Sequence, residues 1–224
     1  MMASLFSMFD PTAIFLIPLN WLLILTTLMF IPIPMWKFNS QLLMTFQTLI
    51  KSLNKEFKAL FSSNILIKGS TLLPTTLFMM IMVNNLSSNF PYTFCSSAHL
   101  VFSLALSIPI WTSIIMFYWA TITKSMMAHL VPSGTPNILM PLMVLIELTS
   151  NFIRPMALAV RLTANLIAGH LLMALLGNTF NPSSYFWSAI LVTQTLFLSF
   201  ELMVGLIQSY VFSVLMTLYS SEMS

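Results

Sequence analysis

The chain has 224 residues, of which 58% are hydrophobic and 6% charged, and its mean hydropathy is +0.93. Soluble domains carry roughly a quarter charged residues, so this composition excludes a soluble fold and marks an integral membrane protein. The net charge of +3 arises from few ionisable groups, with no basic patch interleaved with aromatics, which excludes nucleic acid as a partner.

Long apolar runs, with hardly any alternating ten-residue segments, predict helices rather than a barrel. The expected fold is all-α: one polytopic membrane domain over residues 1–224. The lone Cys95 excludes a disulfide framework and a thiolate metal site, and it reads as an ordinary thiol in a loop. The 19 methionines form no cluster with ligand spacing, so they read as core filling, and neither metal nor cofactor is expected. The opening MMASLFSMFDPTAIF lacks a basic region and carries Asp10, unlike a cleaved signal.

In chain order, residues 14–36 form the first expected transmembrane helix, with Trp21 inside it and Trp36 and Lys37 as an interfacial anchor. Pro32 and Pro34 bend or end it near that surface. Residues 41–61 differ in kind. Leu42, Phe46, Leu49, Ile50, Leu53, Phe57 and Leu60 recur at helical spacing opposite Lys51, Lys55, Glu56 and Lys58, which predicts an amphipathic helix lying on the membrane surface. A loop helix packed on a partner subunit would show the same pattern. Further spans are expected at 65–84 and 98–122, joined by a loop without lysine or arginine. All the lysines then fall on one side, and the positive-inside rule puts the N-terminus outside and the C-terminus, with Glu222, inside.

HLVPSGTPN, 129–137, reads as an inner loop. Residues 137–177 are helical in composition, interrupted by Pro141 and Pro155, and 185–219 form a second long apolar helix after a turn at 178–184. About forty residues of helix span about 60 Å against a hydrocarbon core of about 30 Å. The two are expected to form a steeply tilted, bent hairpin.

The stretch ELTSNFIRPMALAVRLTANLIAGH, Glu147 to His170, concentrates polar groups in this apolar chain. At about 100° per residue, Glu147, Asn151, Arg154, Arg161 and Asn165 fall on one face, and His170 points the other way. In the last helix Glu201 is the one charge of the apolar body, with Gln208 two turns along on the same face. An antiparallel hairpin lets His170 approach Glu201, a pairing suited to a proton path. Arg161 remains a fixed positive charge, because guanidinium does not deprotonate in proteins. Glu147 is about 20 Å from it along a straight helix, so an acid on another polypeptide is the expected counter-charge. Arg154 either supports this stripe or snorkels to headgroups. Asn151 and Glu147 could form a local polar cluster, and Asn165 and Gln208 are either part of a water chain or interhelical glue.

RLTANLIAGH, with the preceding ELTSNFIRPMAL and HLVPSGTP, resembles subunit a of the F-type ATP synthase, and the similarity runs from the FDP near the N-terminus to the last helix. The resemblance implies Arg161 as the essential arginine, Asn165 as its neighbour, and Glu147, His170, Glu201 and Gln208 as channel residues. Bacterial relatives carry other residues at the positions of His170 and Glu201, so the arrangement resembles the mitochondrial branch. Further implied are a mitochondrial inner-membrane stator facing a rotor ring of c subunits, other stator subunits including the peripheral stalk, and lipid as partners. Such a subunit carries two offset half-channels separated by Arg161, and is not catalytic alone. A proton-coupled transporter would also keep such residues in broken helices, but the chain has no internal repeat. A haem-bearing subunit needs histidines paired across helices, which His99, His129 and His170 do not offer.

Overall fold

The computed structural model describes residues 9–12, 18–22, 24, 40–61, 70–90, 93–121, 123–131, 135–136, 138–179 and 187–223, and no strand occurs among them. Most of the expected span 14–36, including Trp36 and Lys37, lies outside the described residues, as do Lys68, part of the loop 129–137, most of the turn at 178–184 and the side chain of Glu222.

Helix α1, Gln41–Leu60, starts where Ser40 Oγ accepts from Leu43 N at 3.4 Å and ends with Lys58 in its last turn, a placement that suits both ends of the helix dipole. Its apolar stripe divides: Phe57 is fully buried, whereas Leu42, Met44 and Leu49 stay exposed. One end of the amphipathic helix is therefore docked on the protein and the other presents apolar side chains outward.

The remaining helices are α2 (Leu72–Ser88), α3 (Leu100–Thr121), the short α4 (Thr123–His129), α5 (Met140–Thr179) and α6 (Trp187–Met223). Among the described residues α3, α5 and α6 are long and apolar enough to cross a membrane, and α2 is a shorter apolar helix. With 40 and 37 residues, α5 and α6 extend about 60 and 55 Å at 1.5 Å per residue, so they cross a bilayer only if tilted or curved. Neither Pro141 nor Pro155 interrupts α5. Pro141 sits in the first turn, where a missing N–H is tolerated, and Pro155 lies buried inside a continuous helix.

Laterally, α6 packs between α2 and α5, and α3 covers the other side of α5. Besides the 3-10 turn Leu19–Leu22, a second one, Ser96–Ala98, tucks among α2, α3 and α5. The core joins Ile81 of α2, Trp111 of α3, Leu158 and Leu162 of α5, and Phe212 and Met216 of α6. Small buried residues at four-residue steps, Gly205, Ser209, Ser213 and Thr217, form one stripe of α6. Membrane helices approach closely along such stripes because lipid supplies no hydrophobic drive to associate. At Gly205 the approach is to Asn85 of α2, whose Nδ2 donates to the Gly205 carbonyl at 3.1 Å. Tyr118 Oη donates to the Ser220 carbonyl at 2.9 Å and Tyr210 Oη to Glu56 Oε2 at 3.1 Å, tying α3 and α1 to α6.

The path of α2 differs from the sequence expectation, which ended the span at Asn84 and left Asn85 in a loop. Helix continues to Ser88, and Asn84, Asn85 and Ser88 are buried. Burial, together with the hydrogen bond of Asn85 to the Gly205 carbonyl of α6, overrides the low helix propensity of asparagine and serine.

A Cβ built on Gly205 would lie 3.3 Å from Asn85 Cβ, whereas one on Gly177 meets nothing within 4 Å. Gly205→Val is expected to destabilise the purified protein by about 1–3 kcal/mol through overpacking, and Gly177→Ala to be neutral; thermal unfolding in detergent measures both, and an unshifted Gly205→Val midpoint contradicts the close contact.

Candidate functional site

Two ionisable side chains meet where α5 and α6 face each other. His170 Nε2 lies 3.6 Å from Glu201 Oε1, and both residues are buried, 8% and 7% exposed. That distance is beyond a hydrogen bond, and neither atom has a hydrogen-bond partner among the described residues. Gly169 makes the approach possible. A Cβ at that position would stand 2.7 Å from Glu201 Oε1 and 2.9 Å from its Cδ, so any larger residue drives the carboxyl group out of its seat.

A cavity lies on each side of Glu201. One, of about 360 Å³, is enclosed by α2, α5 and α6 and is lined by Asn85, Asn165, Gly169, Glu201, Gly205 and Gln208 among apolar side chains. Within it Asn165 Nδ2 donates to Gln208 Oε1 at 3.3 Å. The other, of about 340 Å³, is lined by Phe9, Asn89, Thr93, Cys95, His170, Gln194 and Glu201. Glu201 and Met173 belong to both walls. Burial pushes the Cys95 thiol above its ordinary range, which leaves it protonated and unreactive.

Asn85 Oδ1 and Gln208 Nε2, in the wall of the first cavity, are buried without a hydrogen-bond partner among the described residues, as are both side-chain atoms of Asn84. Asn84, Asn85, Gly169 and Gly205 had not stood out in the sequence. Their signal was the Asn-Asn pair inside an apolar run and two glycines within long helices.

Arg161 points elsewhere. It is exposed on α5, flanked at helical steps by the small, exposed Ala157, Ala164 and Ala168. None of the described carboxylates forms an ion pair with it. The rest of the polar stripe lies nearer the start of α5. Arg154 Nη2 is 4.0 Å from Glu147 Oε1, and its guanidinium stacks over the Tyr219 ring at 4.8 Å from the centroid. Asn151 lies between them in sequence and is half-buried. The structure thus brings His170, Glu201, Asn165 and Gln208 to one interface and Glu147 and Arg154 to a separate site, with Arg161 on the open face. His99 stands apart from the His170–Glu201 contact, and the side chain of His129 lies outside the described ones. Among the described residues no group of His, Cys, Asp and Glu is arranged to hold a metal.

A helical, multi-pass membrane protein that buries an acid and an imidazole between two cavities belongs to the ion-translocating class. Its sequence matches the family described as ATP synthase A chain over residues 17–221. It is 50% identical to ATP synthase subunit a of Aedes aegypti, and 49% identical to those of Drosophila simulans and Anopheles gambiae, each alignment covering 100% of both chains. The chain belongs to the ATP synthase A chain family. It is accordingly a multi-pass inner-membrane subunit of the proton-translocating sector of an ATP synthase, working alongside the other subunits of that sector.

Gly169→Ala is expected to cut proton-driven ATP synthesis about tenfold or more while assembly is retained, because about 1 Å of misplacement at a reacting group can cost a hundredfold. Synthesis by reconstituted enzyme measures it, and a wild-type rate contradicts the need for this close approach.

Proposed function

We propose that the chain is the stator subunit that loads and unloads the carboxylates of a rotor ring of c subunits through two offset half-channels. The observation that carries this reading is the position of Glu201, between two cavities and against His170, while Arg161 lies unpaired with any described acid on the outward face of the same hairpin. A proton from the outer side reaches His170 and Glu201 through the cavity beside Phe9. It then crosses to the cavity of Asn165, Gln208 and Asn85, whose unpaired polar atoms are suitable partners for a chain of waters. Asn165 is one helical turn, about 6 Å, from Arg161, so this second cavity delivers the proton near the arginine.

Arg161 acts as the separator. Its fixed charge favours the ionised form of a passing rotor carboxylate and repels a proton seeking a direct route between the half-channels. The flanking alanines allow a partner helix to come close. After nearly a full turn of the ring the proton leaves by a second path at Glu147, where Arg154 and Asn151 support the carboxylate. Glu147 lies about 20 Å from Arg161 along the axis of α5, which supports an exit offset from the uptake site. The lysine distribution supports an N-terminus in the intermembrane space and a C-terminus in the matrix. Exposed apolar residues of α1 and α3 suit lipid and other stator subunits, including the peripheral stalk.

Arg161→Ala is expected to abolish proton-driven ATP synthesis and to open a passive leak, read by synthesis and by pH-gradient decay in reconstituted vesicles; full coupled synthesis would remove Arg161 from the separator role. Glu201→Gln is expected to slow proton uptake from the outer side by about 10²-fold or more, the range of a lost proton-transfer group. Unchanged flux takes Glu201 off the path.

A further inference from the structure

The cavity beside His170 has one wall built from the chain's N-terminal region. Asp10 Oδ1 accepts from Thr12 N at 3.0 Å and from Thr12 Oγ1 at 2.8 Å, closing a local turn. Both contacts hold its carboxyl below the ordinary aspartate range. Asn20 Nδ2 donates to the Asp10 carbonyl at 3.3 Å. Trp21, next to Asn20, rests against the His99 ring at 5.3 Å, and His99 stacks on Phe94 at 5.1 Å. Asn20 and the Trp21–His99 contact therefore hold this N-terminal strap in place.

What the strap presents to the site is the ring of Phe9. It meets the His170 imidazole edge to face, with centroids 6.3 Å apart and planes at 79°, within the favoured range of aromatic pairs. No other ring contact to His170 occurs among the described residues. The χ2 torsion of histidine is broad rather than confined to narrow wells, so the backbone of α5 alone does not fix the plane of the imidazole. Nε2 must nonetheless stay directed at Glu201 Oε1, 3.6 Å away.

We propose that Phe9, in a strap held by Asn20, is a positioning residue that fixes the ring plane of His170 toward Glu201 in the wall of the outer cavity. This rests on His170 being a proton relay. With the plane fixed, a proton taken up on the outer side of the imidazole is matched by release from Nε2 toward the carboxyl group; with the plane free, part of the population faces away and transfer slows.

Phe9→Leu, Phe9→Ala and Phe9→Tyr in the full assembled synthase, reconstituted in vesicles, test the role. Leucine keeps apolar bulk but loses the ring edge, and tyrosine keeps it. From the worth of an aromatic pair, Phe9→Leu and Phe9→Ala should synthesise ATP about 3- to 10-fold more slowly per assembled complex, with Phe9→Tyr near wild type. Wild-type turnover in Phe9→Leu overturns the proposal, since filling the space would then suffice. Asn20→Leu, which removes the donor to the Asp10 carbonyl, should also slow synthesis by about twofold or more; an unchanged rate overturns the anchoring. His170→Ala separates the two levels. If it leaves flux intact, the relay reading itself fails, whereas slow His170→Ala beside normal Phe9→Leu sinks only the role of Phe9.

Discussion

A guanidinium held on the open face of a transmembrane helix is the constraint around which this chain is arranged. Placing an arginine at the centre of a membrane helix costs about 2.5–3.5 kcal/mol on insertion scales, and the group cannot escape by losing its proton. None of the described acids pairs with Arg161. Glu201 is committed to His170 on the buried side of the hairpin, and Glu147 to Arg154. Both described acids of the hairpin are thus held away from Arg161. That division makes physical sense if the counter-charge arrives on another chain and must leave again.

The length of α5 sets its polar groups apart: Glu147, Arg161 and His170 are spread over about 35 Å of its axis. The small residues of α6 allow α2 to close the cavity of Asn165 and Gln208 from behind. Asn85 clamps the helices there through the Gly205 carbonyl and lines the same cavity as Gln208. With Asn84, Asn85 and Gln208 keeping buried polar atoms without a partner among the described residues, the interior is more polar than a purely structural bundle would tolerate.

Much of the fold was legible in the sequence because membrane helices announce themselves by length and apolarity, and α3, α5 and α6 follow that signal. The hydrophobic periodicity of α1 was equally plain. The meeting of His170 with Glu201 could be inferred from antiparallel pairing alone. Less was legible where meaning depends on a third helix. Asn85 looks like a loop residue until α6 is packed against it, and Gly169 looks like a neutral helix glycine until Glu201 is seen against it. Proline spacing suggested breaks at Pro141 and Pro155, but a first-turn position and a buried, well-packed site let α5 continue. The contact of Phe9 with His170 was invisible, since it depends on the fold returning the N-terminal region to α5.

Disulfide cross-linking from the Arg161 face tests the arrangement most directly. A cysteine at Ala164, beside Arg161 and exposed, would be paired with single cysteines introduced along the carboxylate-bearing helix of the rotor subunit, in a background with Cys95 replaced by serine. The rotor-facing assignment of Arg161 predicts a covalent adduct with one small ring subunit at positions near its carboxylate, and reversible arrest of proton-driven synthesis on oxidation. Adducts confined to this chain or to other stator subunits, with turnover unaffected, would contradict it.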